Sequence, residues 1–226
     1  MVSENEDSNP WLSIPAADYE RHMGGSSVRQ LQFLNGVLRE ILDDFRPRTM
    51  AVIGCSTGNG FEHIDPRITQ HVIGIDINPE YLGVLWERFG HKIPGLKLLC
   101  ADVTKCDLQP RSLDLVHCAL VLEYVEPRLI VEKAAEWVRS RGVLTVLLQL
   151  PSAGHDNVTD TEFESVRRLE SIMRLVDPKE LGRIAEQAGF SETSSRVDTL
   201  ASGKQFYVGV YRREEPGCKG GSHSGP

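Results

Sequence analysis

Short apolar, β-branched runs alternate along this chain with segments of helical periodicity, and few folds accept that order. The runs are "MAVI", "HVIGIDI", "LKLLCADV", "LDLVHCALVL" and "GVLTVLLQL". Several are almost continuously apolar, as expected of parallel strands buried on both faces. Between them, "NPEYLGVLWERFG" offers Asn78 as a helix cap with Pro79 at the first helical position. "EPRLIVEKAAEWVRSRG" puts Ile130, Ala134, Trp137 and Val138 on one helical face, with Gly142 expected to end the helix. "DPKELGRIAEQAGF" is capped by Asp177 and Pro178 and closed by Gly189. Strand–helix alternation implies an α/β protein, a parallel sheet covered by helices. An amphipathic helix over "SSVRQLQFLNGVLREILDDF" precedes it. After the last helix, "SSRVDTL" and "KQFYVGVYRR" flank "ASG", a turn short enough for a hairpin that adds a final antiparallel strand.

No internal repeat or linker divides the core, so a single domain over residues 11–213 is expected. The acidic stretch "MVSENEDSNP" does not have the pattern of a signal peptide and reads as a disordered leader over residues 1–10. Residues 214–226, rich in Gly, Ser and Pro, read as a disordered tail. No apolar run approaches the roughly 20 residues of a membrane span, so no membrane partner is expected. A net charge of −7 argues against nucleic acid as a partner. The five cysteines, at 55, 100, 106, 118 and 218, include no C-x-x-C pair. They read as buried thiols in a reducing cytoplasm.

The strand-like run 50–53 ends in "GCSTGNG". Glycine has no Cβ and tolerates positive φ, so such a turn lets a ligand approach the backbone closely. In a doubly wound sheet, ligands lie beyond the carboxyl ends of the strands. The second strand ends at "GIDI", which puts Asp76 22 positions after Gly54. There, two carboxylate oxygens face the two hydroxyls of a ribose, a requirement shared by NAD and S-adenosylmethionine. Three features favour the latter. The glycines are spaced G-x-x-x-G-x-G, not G-x-G-x-x-G. The third strand ends in "CADV", which brings a second carboxylate, Asp102, to the same edge to accept from an adenine amine. The terminal hairpin suits a methyltransferase sheet, and no Tyr-x-x-x-Lys dyad of short-chain dehydrogenases occurs.

On these segments, together with "LDLVHCALVLEYVEP", "RGVLTVLLQLP" and "LGRIAEQAGF", the chain resembles the class I S-adenosylmethionine-dependent methyltransferases over residues 28–212. The resemblance implies a Rossmann-like, seven-stranded sheet of order 3-2-1-4-5-7-6, with strand 7 antiparallel and helices on both faces. It puts Gly54, Cys55, Ser56 and Gly58 against the cofactor's amino-acid part. Asp76 would take the ribose hydroxyls and Asp102 the adenine amine, with Ile77 and Val103 beside them. Ala119 and Leu120 would line the methyl side. Two positions depart from the family pattern. Val52 replaces the usual acid, leaving a main-chain carbonyl near Gly54 to hold the cofactor's ammonium, and Ser56 replaces the usual middle glycine.

Methyl transfer is an in-line displacement in which the protein supplies position and desolvation. A general base is needed only when the nucleophile is protonated. "DYERHM" (18–23) precedes the first long helix and is expected, within a lid over residues 11–30, to bring Tyr19 against substrate and His22 as a base. "VLEYVE" puts Glu123 and Tyr124 after the fourth strand, Glu123 as a substrate contact and Tyr124 as a second catalytic candidate. His155, in the loop after the fifth strand, is a further substrate contact. His117 reads as a hydrogen-bonded core histidine and His63 as structural. No His/Asp/Glu grouping has metal-site spacing, so the expectation is metal-independent methylation of a small molecule. The alternatives are a non-catalytic S-adenosylmethionine-binding protein or assembly factor, and an NAD-dependent oxidoreductase.

Overall fold

The structure, a computed structural model, describes residues 9–26, 28–152, 154 and 156–215. Seven strands form one sheet in the order β3-β2-β1-β4-β5-β7-β6. They are β1 (Thr49–Ile53), β2 (His71–Asp76), β3 (Leu96–Cys100), β4 (Leu113–Ala119), β5 (Val138–Leu150), β6 (Phe190–Thr199) and β7 (Gln205–Arg213). β1 is central, pairing in parallel with β2 through Met50↔Val72 and with β4 through Met50↔Leu115. β7 runs antiparallel to both β5 and β6. The expected order and strand direction are both present. Because β7 is antiparallel, its first residues lie at the same edge as the last residues of β1, β2 and β4. That edge is where the site forms.

The helices are α1 (Ala16–Gly24), α2 (Gln30–Phe45), α3 (Pro79–Phe89), α4 (Pro127–Trp137), α5 (Glu164–Arg167) and α6 (Pro178–Gln187). Successive residues of a strand point to opposite faces, and β1 divides the core accordingly. Met50 and Val52 pack with Val37, Leu38 and Ile41 of α2 and Leu82, Leu85 and Phe89 of α3. Ala51 and Ile53 join the layer that contains Ile130, Ala134 and Trp137 of α4 and Leu181 and Ile184 of α6. Capping follows the sequence. The Asn78 side chain accepts from the Glu80 and Tyr81 amides, and that of Asp177 from the Lys179 amide. A third, small cluster of Ile14, Val166 and Leu169, with Trp11, Tyr19 and Tyr124 against it, closes the carboxyl edge of the sheet.

Some boundaries differ from expectation. The fourth helix ends at Trp137 rather than near Gly142. Val138 turns to extended backbone (φ −75, ψ 128) and pairs with Leu113, so β5 is 13 residues long. A β-branched residue gains more from the sheet ladder than from one further helical turn. Asn9 caps a single 3₁₀ turn over Pro10–Ser13, and Asn9 and Pro10 are the last two residues of the span expected to be a leader. At the other end, the Glu214 amide donates to the Gly189 carbonyl, so the ordered part passes residue 213. The rest of the leader and tail, with Cys218, lies outside the described residues. Cys55, Cys106 and Cys118 are buried free thiols, but Cys100 is exposed, because it ends the edge strand β3. No described helix is long and apolar enough to cross a membrane.

Trp137 is the largest fully buried side chain, 1% exposed between α4 and the sheet. Trp137→Ala is expected to cost about 3–5 kcal/mol through lost burial and the cavity left behind. Urea unfolding should show a lower midpoint at unchanged slope. A loss below about 1 kcal/mol would mean that this face is not part of the cooperative core.

Candidate active site

Beyond the carboxyl ends of β1, β2 and β4 lies a cavity of about 380 Å³. Its floor starts with the glycine turn. Gly54 has φ +66, and a Cβ there would come within 2.3 Å of Val121 Cγ2, so this position favours glycine. Ser56 also has positive φ, and its amide donates to Asp76 Oδ2 at 2.8 Å. Asp76 Oδ1 accepts from the Asn78 amide at 2.9 Å. Burial raises the pKa of Asp76, while the amides of Asn78, Ser56 and Ile77 pull it back. Leu120, just past β4, is a second non-glycine residue in the left-handed region (φ 55); its amide is tied to the Leu147 carbonyl at 3.0 Å. Two such residues at two strand ends, both lining one cavity, mark where the backbone is held against its preference.

Asp102 caps the 3₁₀ turn Val103–Lys105, accepting from the Thr104 amide at 2.9 Å and the Thr104 hydroxyl at 2.7 Å. Burial works to raise its pKa, but the Thr104 bonds and the Lys105 charge outweigh it and hold the carboxyl low. Both carboxylates line the cavity with Ile77, Val103, Ala119 and Leu120. Tyr81 also faces it. The Tyr81 hydroxyl is buried and has no hydrogen-bond partner among the described residues, and burial raises its pKa. A buried hydroxyl without a partner is costly unless a ligand supplies one.

The segment over the cavity is stitched to α3 and its surroundings. Asn78 Nδ2 donates to the carbonyls of Trp11 (2.9 Å) and Ile14 (3.3 Å), and the Ala16 amide donates to Glu80 Oε1 at 3.0 Å. Glu20 pairs with Arg88 through two bonds, 2.5 and 3.1 Å, and accepts from the Thr57 hydroxyl at 2.6 Å. The Arg88 bond is the main reason its pKa falls. "DYERHM" is therefore part of helix α1. Its Tyr19 lies 5.2 Å from Tyr81, centroid to centroid, and Trp11 packs edge-on to both Tyr19 and Tyr124. Burial pushes the Tyr19 hydroxyl up to about 12 and raises that of Tyr124 further. His22 is buried and lines the cavity; burial lowers its pKa first, and the charge of Lys204 adds to the effect.

The sequence-derived residues thus divide. Gly54, Ser56, Asp76, Ile77, Asp102, Val103, Ala119, Leu120, Tyr19, His22 and Tyr124 come together around one space. Cys55 and Gly58 do not line it. The Cys55 side chain packs beside Gly74, and a Cβ on Gly58 (φ +86) would meet Leu85 and Phe89, so both positions serve the core. Glu123 is not at the mouth of the site. It is 1% exposed, and its Oε1 accepts the Gln149 amide at 2.8 Å, because the turn after β4 directs it inward against β5. His155 lies outside the described residues. His117 is a core histidine, its Nδ1 2.9 Å from Thr145 Oγ1 and its pKa pulled down to about 4 by burial. His63 faces Asn35 at 2.8 Å. Among the described residues, no group of three or more His, Cys, Asp or Glu could hold a metal ion.

The sequence reading missed Trp11, Tyr81, Gln149 and Lys204, all of which line the cavity. A signal existed for two of them. Gln149 is a polar residue at the carboxyl end of an apolar strand, and Lys204 directly precedes the antiparallel strand, at the same edge.

This sheet order, with a glycine turn and two acidic strand ends around one cavity, is the fold of the class I methyltransferases. Residues 51–146 match the family model of a methyltransferase domain. No curated protein matches the chain. Solved structures with this fold include the N-methyltransferase NodS from Bradyrhizobium japonicum WM9 in complex with S-adenosyl-L-homocysteine. It is 17% identical, with a TM-score of 0.66, over 92% of this chain and 100% of that one. The (4+2)-cyclase SpnF is 12% identical, with a TM-score of 0.65, over 83% of this chain and 82% of that one. A phosphoethanolamine N-methyltransferase from Haemonchus contortus, in complex with phosphomonomethylethanolamine and S-adenosylhomocysteine, is 13% identical. Its TM-score is 0.62, over 89% of this chain and 61% of that one. The resemblance to the class I methyltransferases read from the sequence is thereby borne out.

Burial pushes the Glu123 carboxyl up to about 7, against 4.5 when unfolded, and its Oε2 has no partner among the described residues. Folding therefore favours the protonated form. Stability from this group is complete below about pH 4.5 and is lost as pH rises through 7. Glu123→Gln keeps an acceptor for the Gln149 amide and stays neutral. It should be more stable than the parent at pH 8, by up to about 3 kcal/mol, with the difference vanishing near pH 5. Parallel melting curves at both pH values would contradict this assignment.

Proposed function

We propose that the chain is an S-adenosylmethionine-dependent methyltransferase that acts on a small molecule by direct, metal-independent transfer. The observation that carries the reading is the pair of carboxylates, Asp76 and Asp102, at successive strand ends around one cavity with the Gly54 turn. Relatives of this fold crystallised with S-adenosylhomocysteine support the choice of cofactor. The residues fit the group. Asp76 has lone pairs that would take two ribose hydroxyls, and Asp102, with Ile77 and Val103 beside it, would take the adenine amine. Gly54 and Ser56 would meet the amino-acid part, and a main-chain carbonyl near Gly54 would take the ammonium in place of the acid missing at Val52. The cofactor supplies a methyl group on a positively charged sulfur.

The protein's own work is to position the acceptor and exclude water. Residues 11–213 act as one domain, with 11–30 over the site. Trp11, Tyr19 and Tyr124 would wall the acceptor side, and Ala119 and Leu120 would line the methyl side. His22 is the base. Its lowered pKa keeps it neutral at pH 7 and able to accept a proton. Tyr124 keeps its proton over the same range, so it serves as a donor that orients the acceptor.

Calorimetry should show S-adenosylhomocysteine binding in the micromolar range, about −8 kcal/mol, and far weaker NAD binding; the reverse order would sink the reading. Asp76→Ala should weaken the cofactor at least about tenfold without unfolding, since two charge-assisted bonds are lost. Asp102→Ala should do less. Release of S-adenosylhomocysteine in the presence of candidate acceptors separates a methyltransferase from a protein that uses this fold for other chemistry, as SpnF does. His22→Ala should lower turnover more than cofactor affinity, and parent turnover should hold through the ordinary imidazole value of about 6.5 and fall only at lower pH, because the His22 pKa is lowered. Equal loss of both parameters in His22→Ala would reduce the histidine to part of the wall.

A further inference from the structure

The cavity has two ends of opposite charge. Asp76 and Asp102 stand at one. At the other, Lys204 enters from the β6–β7 loop beside His22 and Gln149. Lys204 is 4% exposed, far below what a lysine ordinarily shows. Its Nζ donates to the Asn157 carbonyl at 2.9 Å, and Gln149 Nε2 donates to the same carbonyl at 2.7 Å. The carboxylate that acts on Lys204 is that of Asp156, an exposed residue at longer range. His22 shares the cavity lining, and the charge of Lys204 lowers its tendency to hold a proton, while burial lowers that of Lys204 itself. A buried ammonium with one carbonyl bond has donors to spare and, among the described residues, no counter-ion in contact, an arrangement that is costly until an anion arrives.

We propose that Lys204, with His22 and Gln149 beside it, is an anion subsite that selects acceptors carrying a carboxylate or a phosphate. The inference rests on the methyltransferase reading and extends it to the class of acceptor. The two ends then have separate work. The acidic end takes neutral donors, the hydroxyls and the amine of the cofactor, and the basic end takes the charge of the acceptor. Apolar side chains of the same lining, among them Met23, Leu34, Val166, Leu169 and Met173, lower the local dielectric and make one ion pair count. Lysine on a flexible stem suits a point contact with either anion.

The test compares benzoate, its uncharged partner benzamide, and inorganic phosphate by calorimetry on the full chain saturated with S-adenosylhomocysteine. The expected result is at least tenfold tighter binding of one anion than of benzamide. Preference for benzoate assigns a carboxylate, and preference for phosphate assigns a phosphate. Lys204→Met, close in volume and uncharged, should bring that anion to within twofold of the amide, and Lys204→Arg should keep most of the preference. Melting curves establish that both variants fold. S-adenosylhomocysteine affinity should stay within threefold of the parent in each. Equal binding of all three probes to the parent chain overturns the subsite and leaves the methyltransferase reading intact. A tenfold loss of S-adenosylhomocysteine affinity in Lys204→Met also overturns it, since the ammonium would then belong to the cofactor's carboxylate. If S-adenosylhomocysteine does not bind at all, the methyltransferase reading falls, and the same comparison on the chain alone still decides the subsite.

Discussion

The Asp76 carboxylate ties together the elements that make this site. Its two oxygens accept from the Ser56 and Asn78 amides at 2.8 and 2.9 Å, so one side chain joins the turn after β1 to the turn after β2. Asn78 carries the connection onward. It caps α3 and donates to the Trp11 and Ile14 carbonyls, which holds the cover in place. Bonds from an ionised acceptor are stronger than neutral ones. They compensate for burying the charge, as the opposing effects on the Asp76 pKa illustrate. Floor, wall and cover therefore depend on one half-buried carboxylate, and the same carboxylate lines the cavity.

Around it the site accumulates local costs that the rest of the fold offsets. Ser56 and Leu120 hold left-handed backbone at the ends of β1 and β4, and the Tyr81 hydroxyl is buried without a partner among the described residues. The core on both faces of the sheet supplies the compensation, with fully buried side chains such as Trp137, Met50 and Ile53. Of the six non-glycine residues with positive φ, Ser56 and Leu120 are the two that line the cavity, and backbone held in this way at a pocket is what a preorganised site uses. The cover differs from the core. It is held by polar bonds at its edges and by a small cluster that includes aromatic rings.

Much of this was legible in the residues. Period-2 and near-continuous apolar runs identified the strands, and Asn78–Pro79 and Asp177–Pro178 identified two helix starts, because capping and burial on both faces are local properties. Asp76 and Asp102 were legible for the same reason: each ends an apolar strand, and the carboxyl edge of a parallel sheet is one place. Failures began where a side chain's direction depends on a neighbouring element. Cys55 and Glu123 have site-like positions in the sequence, yet the packing of Gly74 against Cys55 and the Gln149 amide turn both inward. Val138 fits the helical face by periodicity, but its pairing with Leu113 takes it into the sheet.

By itself, then, the sequence determined the α/β class, the strand order through resemblance, and the two acidic strand ends. Those rest on periodicity and on short-range backbone chemistry. Only the tertiary structure decided that Lys204, Gln149 and Tyr81 share a cavity with those carboxylates, and that Lys204 stands beside His22. Lys204 and His22 are far apart in the chain, and no local pattern relates them. They meet because β7 is antiparallel and starts at the edge where the parallel strands end, while α1 is held over that edge by Asn78, Glu80 and Arg88. The charge at the far end of the cavity is thus a consequence of topology, and the strand periodicity that revealed the fold carries no information about it.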